Sequence, residues 1–302
     1  LEVLDSTDPA AVLRCARTLP EGKTLFLISS KSGTTLETAS FMNYFHARTR
    51  ERLGPAPAAA SFTAITDPGS FLESEARRLG FRRIFSGNPE IGGRFSVFSP
   101  FGLVPAVLLG LPMRALLSEA REAVGTCRRL RAGENPGANL GIILGTLARA
   151  GRDKAVFLMS AALQDFGAWV EQLLAESTGK DGRGILPIVR PTAASATQPA
   201  GDRLTVAIGL AGDTALAASV NQARERGEPV ISMTLEDPIE LGAQFFLWEF
   251  ATAVAGTVLG INPFDQPNVA LSKKKTEAAL NVYMKSRTFP EESSTWEEET
   301  LA

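Results

Sequence analysis

Two patterns alternate along this chain: short runs of consecutive apolar residues, and longer stretches in which apolar positions recur at helical spacing. TLFLISS (24–30) is a run of the first kind and ends in a Ser/Gly cluster, which predicts a buried parallel strand. A helix is expected over 35–52. SFTAITD (61–67) predicts the next strand, with Asp67-Pro68-Gly69 as its stop signal. A helix over 71–79 and a short strand over 83–85 complete a βαβαβ run. Residues 101–150 read as helical, broken at Gly110, Pro112 and Asn135-Pro136-Gly137. A second set follows, with strands at 155–160, 184–190, 203–210 and 228–235. Its helices are expected at 164–178, 214–226, 239–259 and 266–284, and the acidic tail PEESSTWEEET is expected to fray. The fold class this implies is α/β: a three-layer αβα sandwich with mainly parallel sheets.

Length adds a domain count. At roughly 150 residues per domain, the 302 residues divide into 1–150 and 151–302, one α/β unit in each. Lys plus Arg is 31 and Asp plus Glu is 33, a net charge of −2 that argues against nucleic-acid binding through bulk charge. The single histidine, His46, rules out a multi-histidine metal site and makes a Ser-His-Asp triad a poor fit. Cys15 and Cys127 cannot build a disulfide framework, and a reducing cytoplasm fits them. The most apolar long stretch, 241–261, contains Gln244, Glu249, Thr252 and Thr257, so a buried helix is expected rather than a membrane span. The chain opens on Leu1 and the acidic LEVLDSTD, which is no signal peptide and reads as a fragment or processed piece.

Four segments carry candidate chemistry. SSKSGTTLET (29–38) lies where a strand hands over to a helix and sets Ser30, Ser32, Thr34 and Thr35 around Gly33. Hydroxyls and free N–H groups at a helix N-terminus form a phosphate cradle; the plainer reading is an N-cap at Thr34 with Glu37 closing a capping box. In IGGRFSVFSPFGLVPAVLLG (91–110), Arg94 is a lone cation entering an apolar segment. It is either a salt-bridged arginine at a helix start or a cation set against a developing oxyanion. In EQLLAESTGKDGRGILP (171–187), Glu176 ends a helix, where the dipole disfavours a carboxylate's charge and suits a general base; a solvated surface glutamate is the alternative. In GINPFDQPNVALSKKK (260–275), Gln266 and Lys273 are seven apart and share a face on one helix, and the lysines otherwise read as a solvated face.

Together, and in this order, these segments resemble the glucose-6-phosphate isomerase family, built from two sugar isomerase (SIS) domains, over nearly the whole chain. The GGRFS and AES-TGK segments are specific to it. NPFDQPNV, and SSKSGTTLET next to LEVLDSTDP, look most like the isomerase half of bifunctional transaldolase/phosphoglucose isomerases, without the transaldolase part. The resemblance implies two flavodoxin-like SIS subdomains. It implies a phosphate loop at Ser30, Lys31, Ser32, Thr34 and Thr35, an enediolate-stabilising Arg94, a base at Glu176 and a substrate contact at Gln172. The family's late glutamine and lysine fall on Gln266 and Lys273. The implied reaction interconverts glucose 6-phosphate and fructose 6-phosphate through a cis-enediol, with no metal or organic cofactor. The implied partners are the sugar phosphate and a second copy of the chain, or a fused transaldolase domain; neither nucleic acid nor membrane is expected.

Two departures stand out. The family opens the sugar ring with a histidine placed between the glutamate and the late lysine, and no histidine follows His46, which is expected on a helix surface. Lys273, a water or spontaneous opening must substitute. The family's first strand and Gly-rich GIGGS loop also lie upstream of where this chain starts, so it reads as N-terminally truncated. Two other readings are open: an isomerase acting on mannose 6-phosphate as well, and a non-catalytic SIS module that binds a sugar phosphate and regulates a partner.

Overall fold

Asp8 starts a helix that the apolar pattern did not announce. Its carboxylate accepts from the N–H groups of Ala10 and Ala11 at 3.3 and 3.1 Å, and Pro9 occupies the first turn of α1 (Pro9–Thr18). The chain is described by a computed structural model that covers residues 1–20, 22–189 and 201–288.

Three parallel strands, β1 (Phe26–Ser29), β2 (Phe62–Thr66) and β3 (Arg83–Ser86), form the first sheet in the order β1-β2-β3, with Phe26 opposite Phe62 and Thr63 opposite Arg83. α2 (Leu36–Leu53), α3 (Pro55–Ala60) and α4 (Phe71–Leu79) connect them. Every residue of the central β2 is buried, as a doubly covered parallel strand requires. Phe62 and Ala64 join Met42, Phe45, Leu72 and Ala76 in one core, which also takes Cys15 and Ala16 of α1.

His46 lies half-buried on α2, its ring edge-on to Phe62 at 5.4 Å and 6.2 Å from Phe81. It is therefore a packing residue of this core rather than the helix-surface residue expected. Burial first, then the charges of Arg50 and Arg78, hold its pKa below 6.5. Between that lowered value and 6.5 the unfolded chain binds more protons than the folded one, so stability rises with pH through this window. Because His46 is the only histidine, an NMR titration reads it directly; a midpoint at or above the unfolded value would contradict the packing.

Helices α5 (Pro100–Leu108), α6 (Met113–Cys127) and α7 (Pro136–Arg149) lead to the second sheet. Its strands are β4 (Lys154–Met159), β5 (Leu186–Ile188), β6 (Arg203–Leu210) and β7 (Val230–Leu235), all parallel, in the order β5-β4-β6-β7. α8 (Gln164–Thr178) connects β4 to β5, α9 (Thr214–Glu225) connects β6 to β7, and α10 (Leu241–Leu259) follows. Alternation along β6 separates two faces. Leu204, Val206 and Ile208 enter the core with Leu173 and Leu174 of α8 and Trp248 and Ala251 of α10. Gly209 faces α9, where a Cβ would stand 2.2 Å from Leu216. Helix, sheet and helix thus make the expected three-layer arrangement.

Leu140 and Leu144 of α7 join this same core, so α7 packs with the second sheet although it precedes residue 150. α10, the apolar stretch weighed as a span, is the buried core helix expected. Among the described residues no helix is long and apolar enough to cross a membrane. The strand expected over 184–190 is limited to Leu186–Ile188, and its last residue, like the tail expected to fray, lies outside the described residues. Residues 1–263 form one compact unit. Phe264 begins a second, which contains α11 (Pro267–Ser286).

Candidate active site

Ser30 continues β1 by donating its N–H to Ile65 O at 3.0 Å, and the chain then turns sharply. Ser30 Oγ accepts from Gly33 N at 3.0 Å; Ser32 Oγ accepts from Thr34 N at 3.2 Å and shares a 2.8 Å bond with Thr34 Oγ1. Gly33 has φ of 72°, and a Cβ there would sit 2.4 Å from Leu72 Cβ and 2.5 Å from Leu72 N, so only glycine fits. The N-cap of α2 is Thr35, not Thr34, and no side chain caps the helix, which corrects the expected capping box. The loop spends its hydroxyls on its own turn before the helix begins. The first N–H groups of α2 keep their dipole end without an internal acceptor from a cap.

Lys31 ties the loop to the sheet. Its Nζ lies 2.8 Å from Asp67 Oδ2 and donates to Asn88 O at 3.0 Å, joining the ends of β1, β2 and β3. Asp67 was legible only as part of a turn signal; nothing in the pattern marked its carboxylate as a partner for Lys31. The Lys31 stem runs past Gly93, whose Cβ, if present, would be 3.9 Å from Lys31 Cδ. The hydroxyl loop and the Gly92-Gly93-Arg94 segment are therefore neighbours.

Arg94 sits in a single 3-10 turn, Gly93–Phe95, and is only 3% exposed. Ser96 Oγ donates to Gly93 O at 2.6 Å and secures that turn. A buried guanidinium needs acceptors. Nε donates to Ser177 Oγ at 2.7 Å and Nη2 to Pro263 O at 2.7 Å. Nη1 stands 3.5 Å from Glu176 Oε1. Glu176 is thus no solvated surface glutamate: it lies in the last turn of α8 with most of its side chain covered, facing Arg94. One turn earlier, Gln172 donates from Nε2 to Glu176 Oε2 at 3.3 Å. The structure therefore brings Arg94, Gln172 and Glu176 together.

Lys180, which the pattern did not single out, is buried and donates to Asn262 O. A lysine after Gly179 gives no signal of burial, because its partner is a backbone carbonyl far along the chain. Ser177 was visible as a hydroxyl beside the candidate base, but not as a ligand of Arg94. Gln266 is the N-cap of α11 and not part of its helical face, so the shared-face argument begins one residue too early. Lys273 falls within α11, and its side chain lies outside the described residues. Among the described residues no cluster of His, Cys, Asp and Glu could hold a metal ion.

Residues 1–185 match the phosphoglucose isomerase family. The glucose-6-phosphate isomerase of Carboxydothermus hydrogenoformans is 30% identical over 92% of this chain and 70% of its own length. A hypothetical protein from Thermus thermophilus has a solved structure similar to this chain, with TM-score 0.82 and 27% identity over 92% of this chain and 76% of that one. A glucose-6-phosphate isomerase structure from Chlamydia trachomatis shares the fold at TM-score 0.76 and 21% identity, over 93% of this chain and 63% of that one.

Proposed function

The chain belongs to the phosphoglucose isomerase family, and from that premise we propose that it interconverts glucose 6-phosphate and fructose 6-phosphate with Glu176 as proton carrier and Arg94 as its electrostatic partner. One observation carries the assignment of roles. A buried arginine and a carboxylate distant in sequence converge at 3.5 Å, and the segment that carries the arginine neighbours the hydroxyl loop that precedes α2.

In the open-chain sugar, Glu176 takes the proton from carbon 2. The electron pair left behind forms the double bond between carbons 1 and 2, and charge gathers on the carbon 1 oxygen. Arg94, itself buried, meets that charge as a fixed cation. A proton passes from the carbon 2 hydroxyl to the carbon 1 oxygen, the same carboxyl returns its own proton to carbon 1, and the enediol becomes the ketose. Gln172 holds the second oxygen of Glu176, so the carboxylate presents one oxygen to the substrate. Ser30, Ser32, Thr34, Thr35 and the backbone N–H of Lys31 receive the phosphate. Phosphate binding positions the reacting carbons from a distance. By the same resemblance Gln266 would contact the substrate, and Lys273, a water or spontaneous opening would free the ring in place of a histidine.

The relatives carry the name glucose-6-phosphate isomerase, which favours neither the regulatory module nor the dual-substrate enzyme. A cytoplasmic homodimer, or a transaldolase fusion, completes the reading. Val107, Leu108, Leu109 and Leu111, exposed at the end of α5 and in the turn to α6, are the apolar surface that supports an association.

Thr35→Val tests the phosphate loop. The Thr35 hydroxyl caps nothing, so its removal leaves the fold unburdened. Loss of a hydrogen bond to a charged phosphate, roughly 1.5–3 kcal/mol, should raise KM for the sugar phosphate tenfold or more at near-constant kcat. An unchanged KM removes Thr35 from the site. Absence of any turnover of either sugar phosphate by the folded protein overturns the function.

A further inference from the structure

We infer that Ser177 is a positioning residue that holds the Arg94 guanidinium at its working distance from Glu176. The inference rests on the roles proposed above for those two residues, and it concerns what keeps them apart. Arginine and carboxylate left to themselves close to a hydrogen-bonded pair at about 2.7–2.9 Å. Here Nη1 and Oε1 stop at 3.5 Å, while Nε and Nη2 make short contacts with Ser177 Oγ and Pro263 O at 2.7 Å each. Two short bonds on Nε and Nη2 pin a planar group, and its third nitrogen then takes a fixed place.

That arrangement suits the reaction. A guanidinium locked bidentately on Glu176 would stabilise the ionised carboxylate and weaken it as a proton acceptor. A guanidinium anchored beside it remains directed to the charge that develops on the substrate. Ser177 follows Glu176 in the chain, in the last turn of α8, and is fully buried. One helix end therefore supplies both the proton carrier and the anchor of its partner cation. Successive helix residues point about 100° apart, so the guanidinium spans the two directions, Nε to one and Nη1 to the other.

A double-mutant cycle with Arg94→Lys tests this. Lysine keeps the charge and lacks the Nε–H that Ser177 receives. Ser177→Ala should lower kcat by about 10²-fold, the scale of an ångström of misplacement at a reacting centre. KM should change little, because the phosphate loop is untouched. Arg94→Lys should lower kcat by itself, and adding Ser177→Ala to it should cost almost nothing more. Ser177→Cys is close in size with a weak acceptor; it should fall between wild type and Ser177→Ala, and carries the test if the alanine variant does not fold. Unchanged kcat in the folded serine variants, or losses that multiply in the double variant, overturns the role of Ser177. Unchanged kcat in Arg94→Lys overturns the role of Arg94 itself, so the two failures are distinguishable.

Discussion

Glu176→Gln is expected to lower kcat by about 10²–10⁴-fold, the usual contribution of a positioned general base, while sugar-phosphate binding survives. The glutamine keeps the size of the side chain and can still turn its amide oxygen to Arg94, with Gln172 turning its own oxygen to meet the amide N–H. What it loses is the ability to accept a proton at neutral pH. Exchange of the carbon 2 hydrogen with solvent should disappear in the same variant, because that exchange is the proton transfer itself. On the proposed reading binding belongs to the hydroxyl loop at the head of α2, whose internal bonds do not involve α8. A variant that isomerises at near wild-type rate moves the base elsewhere. One that loses binding as well makes Glu176 a structural residue.

The second large effect concerns stability against pH. Glu249 on α10 is mostly buried, its Oε1 has no hydrogen-bond partner among the described residues, and burial pushes its pKa up to about 8. Well below pH 4.5 the carboxyl is neutral in folded and unfolded chains alike. As pH rises the unfolded chain releases the proton first, while the folded chain holds it until about 8. Over that window the unfolded state binds fewer protons, so stability falls with pH. Each unit of separation is about 1.4 kcal/mol, which makes the accumulated loss several kcal/mol above pH 8. Glu249→Gln should therefore melt close to wild type in acid and increasingly above it toward alkaline pH. Melting curves that run parallel across the range would show that the carboxyl is satisfied or solvated.

These two glutamates differ in how far the sequence announced them. Glu176 stood in a specific motif at the end of a recognisable helix. Glu249 was visible only as one of the polar residues that made a membrane span a poor reading of 241–261. Its burial without a partner is a property of what packs around α10.

The same division runs through the fold. Strand β6 and helices α4 and α8 occupy the residues expected, because each is bounded by strong local signals: a turn of Gly, Asp or Pro, and a clear apolar period. α1 and α3 leave no long apolar stripe in the sequence. α1 carries its signal in Asp8-Pro9 rather than in an apolar stripe, and α3 is a single short run, PAPAAA. The N-cap position falls on Thr35 rather than Thr34 because the turn forced by Gly33 against Leu72 decides where the helix begins, and no loop hydroxyl caps it.

The order of strands and helices, the glycine at the loop, and the residue types able to carry phosphate, charge and proton follow from the sequence by itself. They follow because backbone preference and apolar period act over a few residues and leave local traces. Only the tertiary structure decided that Lys31 spends its charge on Asp67 and Asn88, and that Arg94 is buried with its Nε on Ser177 and its Nη2 on Pro263. It also decided that Glu176 stands opposite Arg94 rather than in water. Such choices join segments far apart in the chain, and their energies come from desolvation and directional bonds that exist only once the segments meet.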